Sequence, residues 1–305
     1  MHELTGSPAG SDTTPTYYER PLLKMPHWDG WNVVTYLFLG GVTGGLSVIG
    51  ALATSRRESD RKLKRTLAVT SFVLSAANPA VLTPHLGRPE RFFNMLRIVK
   101  FKSPMSLGSW CLVFYSSCAG MNALRIFPQF FGFAQSIFGT FLMGYTGVLI
   151  SATANPLWSS GKRHIPAAFV CSSMSSACAL SSLLSTLEGN REVVHRLERL
   201  EMIAALGELA VLTHFEQTSG DYGKPLFTGT HGEQLRKYTV RAGILAPLAL
   251  NLVGAVVPLP QPVNAVRTVV SSVLTLLGGY ILRDTVVRAG RASVNNPRAA
   301  FVQPT

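Results

Sequence analysis

Long runs of apolar and small residues alternate with short charged connectors along this chain. Trp31–Ser55, Thr66–Gly87, Ser103–Leu124, Ile126–Gly161, His164–Leu187 and Ala242–Val266 contain no Asp, Glu, Lys or Arg. A helix needs about 20 mostly apolar residues to cross roughly 30 Å of hydrocarbon, and one soluble core has no room for so many such stretches. The pattern predicts an all-α membrane protein with eight transmembrane helices in two four-helix bundles. The spans are expected near Trp31–Thr54, Thr66–Thr83, Leu107–Ile126, Phe131–Ser151, Pro166–Leu187, Leu197–Gln217, Val240–Val257 and Asn264–Val287. An eight-span domain over 31–288 follows, with a polar N-terminal extension over 1–30 and a C-terminal tail over 289–305. Met1–Gly30 lacks the apolar core of a signal peptide, so the first span is expected to act as the targeting element.

Composition changes this picture little. Only 14% of the 305 residues are charged, yet the net charge is +12. Basic residues beside spans set orientation and meet anionic headgroups, which accounts for the excess without nucleic acid. The larger number of basic residues falls on the side of the termini. The densest short cluster, RRESDRKLKR after the first span, argues for the opposite orientation, because early short loops weigh heavily.

Cys111, Cys118, Cys171 and Cys178 form no C-x-x-C, so an iron–sulfur cluster or zinc site in this chain is not expected. The seven histidines lie mostly in loops or at helix ends, not as the facing pairs a membrane haem needs. Gly40, Gly41, Gly44 and Gly45 make two overlapping GxxxG patterns, which permit close helix approach. Arg283 and Asp284 are expected to snorkel or pair at the interface, and Trp158 to be an interfacial anchor. Ser103 and Pro104 should start the third span.

Intramembrane charge is a functional candidate by default. Glu208 lies mid-span, with Glu201 one i, i+7 step earlier on the same face, and suggests a proton path or polar cavity. Glu201 fits equally well as a helix-end carboxylate at the interface. Tyr145 lies in the apolar fourth span, where its hydroxyl needs a partner. The connector Leu86–Ser109 carries Arg88, Arg91, Arg97, Lys100 and Lys102 against Glu90, an unusually basic loop between two spans.

The run His85-Leu86-Gly87-Arg88-Pro89, continuing ERFFNMLRIVKFKSPMSLGSW, resembles the signature of the NrfD (polysulfide reductase membrane subunit) family of quinone-interacting integral membrane proteins. WNVVTYLFLGGVTGG is similar to that family's first helix, and GYTGVLISATANPLW to its fourth. The resemblance implies a quinone-reactive anchor subunit of a respiratory oxidoreductase complex in the bacterial inner membrane, not active alone. Its substrate would be menaquinone or ubiquinone, with no haem or iron–sulfur cluster in this chain. Its partners would be a ferredoxin-like iron–sulfur subunit and a molybdopterin or multihaem cytochrome subunit. The termini and the long connector would face the periplasm. By position, His85 and Arg88 would line the quinone pocket and Tyr145 would hydrogen-bond the quinone. Many members carry an acid where His85 stands. Histidine, with an ordinary pKa near 6.5, also accepts a proton at neutral pH. His85, Arg88 and Glu208 are thus the catalytic candidates, and Tyr145, His85 and Arg88 the binding ones.

Two other classes fit parts of the sequence. A secondary transporter would explain the glycine-rich spans, Asn78-Pro79 and a midmembrane glutamate, although the two halves show no inverted repeat. A structural anchor without a working quinone site would explain the helices alone.

Overall fold

The structure is a computed structural model that describes residues 30–82, 97, 100 and 103–294. Every regular element among these residues is helical. The long helices are α1 (Trp31–Leu52), α2 (Glu58–Leu82), α3 (Pro104–Ala123), α4 (Pro128–Ser151), α6 (His164–Leu187), α7 (Arg191–Thr218), α9 (Gly229–Val256) and α10 (Gln261–Ser293); α5 (Pro156–Ser160) and α8 (Gly220–Phe227) are short. Five helices are long and apolar enough to cross a membrane: α1, α4, α6, α9 and α10. This is an integral membrane protein with a wholly helical described part.

The sequence marks most helix ends. Proline opens α3, α4 and α5 within their first turn, where its missing N–H and fixed φ suit a helix start. Ser103 sits at the N-cap of α3 in an extended conformation. Gly189, at φ 71°, turns the chain from α6 into α7, a left-handed geometry that costs glycine least. The residues Leu235–Leu245 of α9 are π-helical. Pro247 lies just downstream. A proline inside a helix displaces the carbonyl four residues back, and the wider winding upstream is where that displacement is taken up.

Short turns make chain neighbours antiparallel. The α1–α2, α3–α4, α6–α7 and α9–α10 turns share one end of the molecule, called the turn face below. The N-termini of α1 and α3 and the C-terminus of α10 lie at the other, the opposite face. The first four helices pack on one another in the pairs α1–α2, α1–α4, α2–α3 and α3–α4. In the second half, α6 packs on α7 and α10, and α10 on α9. The halves meet where α1 and α4 contact α6.

Glycine permits close approach on two flanks of α1, to α6 and to α4. A Cβ at Gly45 would stand 2.5 Å from the Ala177 Cβ of α6, and one at Gly139 of α4 would stand 2.8 Å from the Gly44 carbonyl of α1. Lipid tails are as apolar as leucine, so such close packing holds helices together in place of a hydrophobic drive. Gly45→Leu is expected to lower stability by about 1–3 kcal/mol or more through overpacking, read as a lower melting temperature in detergent. Gly50→Ala, whose Cβ meets nothing within 4 Å, should melt like the parent.

Two surface expectations are overturned. Trp158 is fully buried, and its Nε1 donates to the Val286 carbonyl at 3.0 Å. The Asn155 amide donates to the Gly290 carbonyl at 2.6 Å, and Ser293 Oγ donates to Asn155 Oδ1 at 2.7 Å. These bonds stitch α5 to the end of α10. Arg283 is likewise 0% exposed, because α10 continues to Ser293 and leaves Arg283 well inside the helix. Asp284 instead pairs with Arg288 at 2.8 Å.

Candidate functional site

The basic connector after α2 carries His85 and Arg88, which lie outside the described residues. What surrounds its departure point is described. Asn78, one turn before the end of α2, is fully buried, and neither its Oδ1 nor its Nδ2 has a partner among the described residues. The Thr146 hydroxyl of α4 is also buried without one. Both side chains adjoin Gly40 of α1: a Cβ built there would lie 3.8 Å from Asn78 Nδ2 and 3.8 Å from Thr146 Cγ2.

Tyr145 precedes Thr146 on α4 and is 4% exposed. Its phenol fills the space that a side chain at Gly108 of α3 would take. Its ring stacks on Phe141 with centroids 5.4 Å apart, and Tyr36 of α1 is an electrostatic neighbour. Asn78, Thr146, Tyr145 and Tyr36 thus form a polar group within the first four helices, toward the opposite face. A buried amide without a partner costs about 1–3 kcal/mol. Donors held this way fit a ligand that brings hydrogen-bond acceptors.

Glu208 of α7 sits elsewhere. It is 3% exposed and lies beside Ser172 of α6. Arg283 of α10 donates to the same Ser172 hydroxyl at 3.2 Å. It also donates to Ser173 Oγ at 2.7 Å, to the Gly279 carbonyl at 2.7 Å and to the Leu37 carbonyl of α1 at 3.3 Å. Phe169 and Phe38 flank its guanidinium at 4.9 and 5.4 Å. Tyr145 and Glu208 are therefore not brought together: they face different flanks of α1, through Tyr36 and the Leu37 carbonyl respectively.

A second ionic cluster lies nearer the turn face. Arg267 Nη2 donates to Glu198 Oε1 at 2.7 Å, with both side chains about 5% exposed. Thr268 Oγ1 donates to the same carboxylate oxygen at 2.8 Å. Arg267 also donates to Asn251 Oδ1 at 3.1 Å and the Leu250 carbonyl at 3.0 Å. Glu201 is 2% exposed and accepts from Thr275 Oγ1 at 2.7 Å, so it is not an interfacial helix-end carboxylate. Glu198, Glu201 and Glu208 thus share one buried face of α7. The outermost ionisable neighbour, His195, is half exposed, with Nδ1 3.7 Å from Glu198 Oε2.

Sequence reasoning missed Glu198 and Arg267, and weighed Asn78 only as part of a transporter reading. The Asn78-Pro79 pair reads as a helix break, and Arg267 as a charge flanking a span. The signal that was available is spacing: Glu198, Glu201 and Glu208 recur at three and seven residues, a helical repeat. Among the described residues, no three His, Cys, Asp or Glu side chains gather to hold a metal ion.

A family model described as polysulphide reductase, NrfD matches residues 23–295 of the chain. No curated protein sequence matches it.

Proposed function

The chain belongs to the polysulphide reductase NrfD family, and from that premise we propose that it exchanges electrons between membrane quinone and an iron–sulfur partner subunit of an oxidoreductase complex. The observation that carries the reading is the unpaired Asn78 amide beside Thr146 and Tyr145, next to where α2 hands over to the His85–Arg88 segment.

A bound quinol supplies two electrons and two protons. In this reading the Asn78 amide and Tyr145 hydroxyl donate to the headgroup oxygens and orient the ring. His85 accepts a proton near neutral pH. Arg88 stabilises negative charge on the headgroup. Glu208 is a proton acceptor on the far flank of α1, reached through the polar interior. The partner docks at the opposite face, where the basic connector from Leu86 to Ser109 begins. That partner would be ferredoxin-like, joined to a molybdopterin or multihaem cytochrome subunit, and the quinone would be menaquinone or ubiquinone.

We place eight spans in the bacterial inner membrane, α1, α2, α3, α4, α6, α7, α9 and α10, as two four-helix bundles over 31–288. Helices α2, α3 and α7 are antiparallel neighbours of the five apolar ones and have 25, 20 and 28 residues, enough to cross. Arg56, Arg57, Arg61, Lys62, Lys64, Arg65 and Arg125 cluster at the turn face, which supports a cytoplasmic placement there and periplasmic termini.

Tyr145→Phe, Asn78→Leu and His85→Ala in the assembled complex test this. Each is expected to lower quinol-linked electron transfer by roughly tenfold or more, the loss of one bond worth about 1.4 kcal/mol in the transition state. The complex should still assemble. Asn78→Leu should melt no lower than the parent, since it removes an unpaired buried amide. Parental turnover in all three variants would remove these residues from the site.

A further inference from the structure

We propose that the turn face holds a pocket for the headgroup of an anionic phospholipid. A cavity of about 500 Å³ opens between the C-terminal end of α1, the N-terminal half of α2 and the turn from α3 into α4. Four cations line it, Arg61, Lys64, Arg65 and Arg125, and no carboxylate does. Of the nearby cations outside the cavity, Arg57 pairs with Glu192, Lys62 with Glu58, and Arg196 with Asp60, while Arg56 forms no ion pair among the described residues. Arg61, Arg65 and Arg125 form no ion pair among the described residues. All four cations that line the cavity are among the uncompensated ones.

Two further features separate this pocket from an ordinary belt of positive residues. Arg125 has φ 62° and Phe127 φ 42° in the turn between α3 and α4. Non-glycine residues in that region are strained, and such strain concentrates at ligand sites. An arginine is held here where glycine or asparagine would fit more easily. The second feature is a polar floor between the helices. Gln135, 1% exposed, donates to Ser71 Oγ at 2.9 Å and Tyr115 Oη at 3.0 Å and accepts from Asn122 Nδ2 at 2.9 Å.

The occupant follows from size, charge and surroundings. The cavity is far larger than one phosphate ion, and its cations call for more than one anionic oxygen group. Phe133, 65% exposed, stands at its edge, with Phe127 and Phe130 exposed beside it, where acyl chains would run. Basic pockets between membrane helices on the cytoplasmic side recognise phosphate headgroups in this way. The inference does not depend on the quinone reading.

The test uses the full chain, purified and delipidated in detergent. Melting temperature and lipid retention by native mass spectrometry are read with four probes: diphosphatidylglycerol, phosphatidylglycerol, phosphatidylcholine and inorganic phosphate. Diphosphatidylglycerol is expected to bind most tightly and to raise the melting temperature, with phosphatidylglycerol weaker and phosphatidylcholine and phosphate without effect. The triple variant Arg61→Gln, Arg65→Gln, Arg125→Gln should bind diphosphatidylglycerol roughly a hundredfold more weakly while melting like the parent without lipid. Lys62→Gln, on the same helix but outside the cavity, should bind like the parent, and Arg125→Lys should keep most of the affinity. An equal shift with inorganic phosphate would show a free-anion site and overturn the proposal. Parental lipid affinity in the triple variant, or equal binding of phosphatidylcholine, would overturn it too.

Discussion

Arg267→Leu should destabilise the protein by about 3–5 kcal/mol, the cost of leaving one member of a buried pair alone. Glu198 is left with Thr268 as its hydrogen-bond donor, and the Asn251 and Leu250 oxygens each lose their Arg267 donor. Glu198→Leu should cost a similar amount, because the guanidinium then stays buried without its counter-charge. The double variant Glu198→Leu, Arg267→Leu should recover most of the loss, since apolar replacement of a whole buried pair is often neutral or stabilising. Melting of the four proteins in detergent gives the coupling directly. Additive losses in the double variant would show that the two side chains do not act as a pair. Both residues lie far from Tyr145, so quinone turnover per folded molecule should not change in any of them.

Arg283→Met is the second large effect, again expected at about 3–5 kcal/mol. The arginine ties together three helices through the Leu37 carbonyl, Ser172, Ser173 and the Gly279 carbonyl, and methionine satisfies none of these groups. Glu208→Gln is the informative partner. Glutamine keeps a polar group of the same shape beside Ser172 and removes only the charge that Arg283 feels, so stability should fall less than in Arg283→Met. If Glu208 carries protons, quinol-linked turnover should fall in Glu208→Gln by more than the lost folded fraction accounts for. Turnover that simply tracks the folded fraction would make Glu208 a structural counter-charge.

Most of the helices were legible in advance. Each of the six long charge-free stretches falls on a long helix, five helices are apolar enough to cross a membrane, and Ser103-Pro104 marked where α3 begins. Predicted starts differ from observed ones by six to eleven residues where a helix begins in charged sequence ahead of its apolar stretch, as in α2, α7 and α9. Thus α2 begins at Glu58 and α7 at Arg191, because a helix continues as long as its backbone bonds can, whatever its side chains contact. The candidate site was legible only in part. Tyr145 was singled out because a phenol in an apolar span needs a hydrogen-bond partner and because its position resembles the family's fourth helix. Asn78 was not, because an asparagine before a proline looks the same whether its amide is paired, wet or waiting for a ligand.

The sequence by itself determined the solvent, the all-helical class and the family. The reason is that hydrocarbon thickness and backbone hydrogen bonding act on each segment separately. Only the tertiary structure decided which polar groups lie inside. Arg283 and Trp158 sit near the end of a predicted apolar run and near a helix break, yet both are fully buried. Their burial depends on α10 extending to Ser293 and on α5 folding back against it, which are contacts between distant segments. The same holds for the pairing of Arg267 with Glu198, and for the cations around the cavity at the turn face. Whether a charge is neutralised is a matter of what another helix brings to it, and local sequence does not carry that information.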